Sequence, residues 1–274
     1  MSIFLLVVSC AGYTRHYTEI KHQLLVSMHE LPPFVITVDG QVQSGFIVDI
    51  FRAMASKLGQ PDKIELTTFV RGFKRLQAGL PSQYSPNGVL HRHRAHLIMV
   101  RTPQRESLFK WVGPILYDGT VIYQRTEDSR VFNNLDDLKV HNALCTIQKR
   151  VSETEIFKRQ DLPYYPTNSQ MQAVKLVVQP NSRFDCTPIA LMNTQELFAD
   201  IQGSSARLKP MAFQFPAQAI YMAFSLSTPD SLIQQWQFAL DSLNLTGERL
   251  ALISKYVTAY DAALEAKLKA NAKW

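Results

Sequence analysis

The chain has 274 residues, of which 46% are hydrophobic and 19% charged, with a formal net charge of +6. That is too apolar for a disordered chain, and three cysteines are too few for a disulfide scaffold. The Lys and Arg are scattered and accompany no recognition motif, so the basic balance gives no nucleic-acid partner.

In chain order, Ile3 to Val8 is an apolar run too short to span a bilayer, which takes about 20 residues. It reads as the core of an export leader over residues 1–18, the alternative being an ordinary apolar N-terminus. Val7-Val8-Ser9-Cys10 also fits a lipoprotein processing box in which Cys10 is lipidated. Leu24 to Met28 reads as a buried strand stopped by Pro32 and Pro33, Phe34 to Val38 as extended chain, and Asp39-Gly40 as a turn. Ile47, Ile50, Phe51, Met54 and Leu58 recur at helical spacing, and Gly59 with Pro61 ends that helix. Ile64 to Phe69 alternates as a strand, and Phe73 to Leu80 is a short helix.

Pro81 to His96 carries His91, His93 and His96 among arginines and is expected to be a solvated basic loop. Its histidines share no helix face and no neighbouring carboxylate or cysteine, which argues against a metal. Leu97 to Val100 restores a strand. Thr102 and Pro103 open a helical turn that carries Arg105 and Glu106. Thr120 to Gln124 is β-rich, Leu135 to Leu138 a short helix, and the Cys145 and Cys186 runs are strands that could be neighbours. Their cysteines read as buried free thiols, with a disulfide as the alternative given export. Ser152 caps a helix to about Arg159. Helices follow over Met171 to Val178 and Gln195 to Ile201, Ala219 to Ser225 is extended, and three helices finish the chain from Ser231 onward. Strands alternating with helices at this interval imply an α/β fold with parallel sheets covered on both faces.

Glu30-Leu-Pro-Pro-Phe34, Asp39-Gly40 and Gly45-Phe-Ile-Val-Asp49 open a longer series. It continues with Arg71, Arg101-Thr-Pro-Gln-Arg-Glu106, Phe109-Lys-Trp-Val-Gly-Pro-Ile115, Leu135-Asp-Asp-Leu138, Arg183-Phe-Asp185, Ser227-Thr-Pro-Asp230 and Trp236. Over residues 24–257 this order resembles the bacterial extracellular solute-binding proteins of family three, the type II periplasmic clamshells. The resemblance implies two lobes, each a mostly parallel sheet flanked by helices, joined by a double crossover. Lobe 1 would be residues 19–116 plus 219–274, and lobe 2 residues 117–218. It further implies a periplasmic monomer without cofactor or catalysis, which takes a small-molecule solute for an ABC permease of the inner membrane. Two other readings share the fold: a ligand-sensing module for a separate membrane signalling protein, and a dehydratase-like enzyme, which needs a paired acid and base in the cleft.

The resemblance carries Arg105 over as the grip on a ligand carboxylate, for which guanidinium offers a planar fork; the other reading is an ion pair with Glu106 or another acid. Arg71 is a second anion contact or a solvent-exposed residue, and Phe34 a cleft wall or core. Ser152 is a donor to anionic ligand groups or a plain N-cap. Glu30 is a replacement acid for an ammonium, and Asp185 completes the ligand-site candidates, although it and Asp49 sit where the family uses acids structurally. The amino-acid pattern itself is broken. Leu31 stands where the stacking aromatic belongs, Ala190 where the ammonium-binding acid belongs, and Leu97 to Val100 where Ser and Thr are usual. The expected solute is therefore small and polar or anionic.

Overall fold

The computed structural model describes residues 21–80, 83–85, 88–201 and 204–272. The expected leader, Cys10 and part of the 81–96 segment lie outside the described residues. The first half of the chain builds β1 (Lys21–Met28), the hairpin β2 (Ile36–Val38) and β3 (Gln41–Ser44), α1 (Phe46–Leu58), β4 (Ile64–Leu66), α2 (Phe69–Ala78), β5 (Gln83–Ser85), β6 (Gly88–Val100) and β7 (Lys110–Arg125). A middle portion follows with α3 (Leu135–Val140), β8 (Cys145–Gln148), α4 (Ser152–Arg159), β9 (Tyr164–Thr167), α5 (Gln170–Val178), β10 (Cys186–Ala190), α6 (Thr194–Asp200) and α7 (Ser204–Arg207). The chain then returns through β11 (Leu208–Phe224) to α8 (Asp230–Leu245), α9 (Glu248–Ser254) and α10 (Ala262–Ala270).

Among the described residues one sheet runs β4-β1-β6-β11-β7-β10-β8-β9, with β5 on β6. Its two ends are parallel, β4-β1-β6 on one side and β10-β8-β9 on the other. Its middle is antiparallel, because β7 and β11 are long and pair from Lys110 opposite Phe224 to Arg125 opposite Leu208. Those two strands belong to both halves. The apolar cores divide the same way. On the β1 side, α1 and α8 bury Phe51 against Trp236 on one face, and α2 buries Phe73 and Leu76 with Met99 and Phe109 on the other. On the β8 side, Phe157 of α4 and Leu138 of α3 fill one face, and Val174 and Val177 of α5 the other. Two separately cored lobes are thus joined by two continuous strands.

The α1 helix sits as its spacing requires, with Ile47, Ile50, Phe51 and Met54 buried and Gly59 left-handed at its end. Its start is fixed by Gly45, at φ +122°, where an added Cβ would lie 2.3 Å from the Phe34 carbonyl oxygen. Only glycine allows that approach, through which Ile47 N–H donates to the Phe34 carbonyl.

Three sequence expectations are corrected. The segment 81–96, where described, is not a solvated loop: β6 runs through it, pairs with β1 from Lys21–Leu90 to Ser27–His96, and buries His93 and His96. Three residues apart on a regular strand, the two imidazoles project to opposite faces of the sheet, and burial keeps that of His96 neutral. Cys145 and Cys186 are not free thiols but a disulfide, since β8 and β10 are adjacent and place the two residues directly opposite, with 4.4 Å between their Cα atoms. Ser152 is the first residue of α4, and Val151 holds the cap position.

Candidate functional site

A cavity of about 110 Å³ lies between the lobes. Its walls come from both: Leu31, Phe34, Phe69, Ile98 and Met99 from one, and Ile147, Ser152, Glu153, Pro188 and Ala190 from the other, with Asp118, Thr120 and Gln218 from β7 and β11 between them. A second cavity, about 580 Å³, shares His29, Leu31, Phe69, Gln148, Gln170 and Asn193 with it.

Of the residues singled out from the sequence, Phe34, Arg105 and Ser152 line the smaller cavity, and Leu31 and Ala190 line it too. Glu30 and Arg71 line the larger one, where Glu30 accepts from the Thr37 hydroxyl and Arg71 is exposed on the first turn of α2. Asp185 lies outside the cavities described. It accepts from Leu144 N–H (2.8 Å) and Arg130 Nη2 (2.5 Å) and so ties β10 to the strand entry before β8. Asp49 likewise accepts from the Tyr256 hydroxyl at 2.9 Å.

Arg105 is 3% exposed and is bound from within the chain. Nε and Nη2 both donate to Glu155 Oε1, at 2.8 and 2.6 Å, and Nη2 also donates to the Arg150 carbonyl at 2.8 Å. Nη1 donates to the Val100 carbonyl at 3.3 Å and faces Met99 Sδ at 3.5 Å. A guanidinium has five N–H donors, and all five have acceptors here. The other oxygen of Glu155 accepts from the Thr102 hydroxyl at 3.1 Å. Thr102 thus spends its side chain on α4 instead of capping the turn after it. The acid that Arg105 pairs with is not Glu106, which Arg101 holds at 2.5 Å, but Glu155 of the opposite lobe.

The polar groups facing the cavity that the sequence did not single out include Asp118, Glu153 and Asn193, beside His29, Thr120, Gln148, Gln170 and Gln218. Asp118 and Thr120 alternate along β7 and so project to the same face. Asp118 Oδ1 accepts from Met192 N–H at 3.3 Å, while its Oδ2 is buried with no partner. Burial pushes the Asp118 carboxyl up to about 8, opposed by backbone N–H groups of Gly119 and Met192 and reinforced by Glu153. Glu153 accepts from the Thr120 hydroxyl at 2.7 Å and lies 3.1 Å from the Ser152 hydroxyl, which is 2.6 Å from Gln218 Oε1. Asn193 Oδ1 is also buried and unpartnered. A signal was present: Asp118 is the one charge in the run from Val112 to Tyr123.

On the opposite wall, His29 and His96 stack with ring centroids 5.8 Å apart, and each meets Phe69 edge-on. Burial lowers His29 to about 4 and, with His29 adding to it, His96 to about 3, so both are neutral. His96 Nδ1 is 3.2 Å from the Ser27 hydroxyl. Among the described residues, no three His, Cys, Asp or Glu side chains gather in a metal-binding group. Nor is any helix there long and apolar enough to cross a membrane.

No family model matches the chain, and no curated protein does. Solved structures do. A mutant of the T. maritima arginine-binding protein ArgBP shares 18% identity at a TM-score of 0.70, covering 86% of this chain and 95% of its own. A histidine kinase sensor domain with similarity to periplasmic binding proteins shares 17% at 0.71, covering 86% and 96%. The substrate-binding protein of an amino acid ABC transporter shares 18% at 0.66, covering 85% and 98%. Likeness at this identity establishes the fold, which is that of the periplasmic binding proteins.

Proposed function

We propose that this chain is an extracytoplasmic solute-binding protein of the family-three type, which captures a small polar solute between its lobes and presents it to an ABC permease. The observation that carries this reading is the cavity itself. It is enclosed by side chains of both lobes, apolar over most of its wall, with a few convergent polar groups, as small-molecule sites are. Residues 19–116 with 219–274 form one lobe and residues 117–218 the other. β7 and β11 act as the hinge about which the lobes open to admit solute and close on it. Residues 1–18 serve as the export leader.

Capture is supported by the cavity's polar groups: the Thr120 and Ser152 hydroxyls are hydrogen-bonded to carboxylate and amide oxygens, which fixes that wall around a solute. The likeness to a histidine kinase sensor domain favours a second use of the same capture, in which closure is read by a membrane signalling protein.

The test is a thermal-shift screen of the purified protein against amines, amino acids, organic acids and short peptides, followed by NMR recovery of any stabilising solute. A solute that binds only the folded form raises the melting temperature by mass action and returns unchanged. A stabilising solute that returns chemically altered would refute the binding-only role.

A further inference from the structure

Asp118 Oδ2 and Asn193 Oδ1 are acceptors with no donor among the described residues, and both face the interlobe cavity from positions at most 5% exposed. Buried polar atoms without partners are rare, and an acceptor is satisfied only by a donor. Glu153 brings a second carboxylate to the same wall, held in place by Thr120. The cation that lines the cavity, Arg105, has every N–H committed to acceptors within the chain, and its charge is matched by Glu155. Once Asp118 is ionised, above about pH 8, a carboxylate entering this cavity would find two carboxylates and no free guanidinium donor. A donor-rich cation would find a charge partner and two vacant acceptors. Leu31, Phe34 and Ile98 leave apolar wall for an uncharged body.

On the solute-binding reading above, we infer that the solute is a small organic cation, an amine or guanidinium carrying no carboxylate, held by Asp118 with Glu153 and Asn193. The ion pair between Arg105 and Glu155 fills the place where a ligand carboxylate would otherwise be gripped. The chain supplies that carboxylate itself, and recognition passes to the acidic wall.

The experiment compares n-propylamine, propionate and β-alanine, three probes of similar size, by thermal shift and isothermal titration at pH 8.5. Guanidine is run beside them. The inference predicts that the cations stabilise the protein by about 5–10 °C at a hundredfold excess over Kd, with propionate and β-alanine doing markedly less. D118N keeps the acceptor for Met192 N–H, and it is expected to bind propylamine at least tenfold more weakly while retaining its ligand-free fold. E153Q, measured in parallel, weakens the same probe. Stabilisation by propionate or β-alanine and not by the cations would overturn the inference and leave the solute-binding role standing. Undiminished propylamine affinity in both variants would also overturn it. No shift with any probe here and none in the wider solute screen would overturn both readings together.

Discussion

Burial holds the Asp118 carboxyl up at about 8 and holds His29 and His96 down at about 4 and 3. The two effects act on stability in opposite directions. Between pH 4 and 6.5 the unfolded chain carries protons on both imidazoles that the native state lacks, while only the native state protonates Asp118. The unfolded state then binds one proton more, so stability rises with pH. Between 6.5 and 8 the histidines no longer differ, the native state holds the extra proton on Asp118, and stability falls. These groups, with Glu153 facing Asp118 and Ser27 and Phe69 facing the imidazoles, place the optimum near pH 6.5. Denaturant unfolding of the solute-free protein should show a loss of about 2 kcal/mol from pH 6.5 to 8. D118N should abolish that loss; a variant that declines as steeply as the wild type would contradict the assignment. Phe34, Arg105 and Ser152 could be placed at the cavity from sequence because each sits in a recognisable local pattern. Asp118 could not be assigned a role, because its importance depends on the absence of a donor, which only the packed structure reveals.

At the scale of elements, α1 was readable to within a residue, since an apolar stripe and the stop at Gly59 and Pro61 point the same way. G45A tests the glycine that fixes its start. With φ at +122° and the Phe34 carbonyl 2.3 Å from the new Cβ, it should cost about 2 kcal/mol or more and displace Phe34 from the cavity wall. The strands were read too short. β6, β7 and β11 continue past their apolar runs through histidines, prolines and polar residues, because neighbouring strands and not local propensity decide where they end. The disulfide followed from that pairing, not from cysteine spacing. Because it closes a 41-residue separation, the double variant C145A/C186A should unfold about 3–4 kcal/mol more easily than the oxidised protein, read from denaturant midpoints.

At the scale of the molecule, the order of weak matches along the chain carried the two-lobed fold, and no single motif would have. The contact that sequence could not supply is the one between lobes. Arg105 and Glu155 are 50 residues apart, and they meet only because β7 and β11 fold one lobe onto the other. E155Q removes the charge that matches Arg105, so small-angle scattering should show a larger radius of gyration from a more open population. The same variant leaves the Arg105 charge unmatched and should gain affinity for propionate; an unchanged envelope with no such gain would mean that the pair does not hold the cleft. The claim on which the account rests is that the interlobe cavity captures a small solute and leaves it intact. Calorimetric titration of the wild-type protein with propylamine, with the probe recovered afterwards and identified by NMR, tests it most directly. The account predicts saturable binding at one site per chain, return of unaltered probe, and loss of the signal in D118N. Failure of any solute to saturate the protein, or recovery of a chemically changed one, would contradict it.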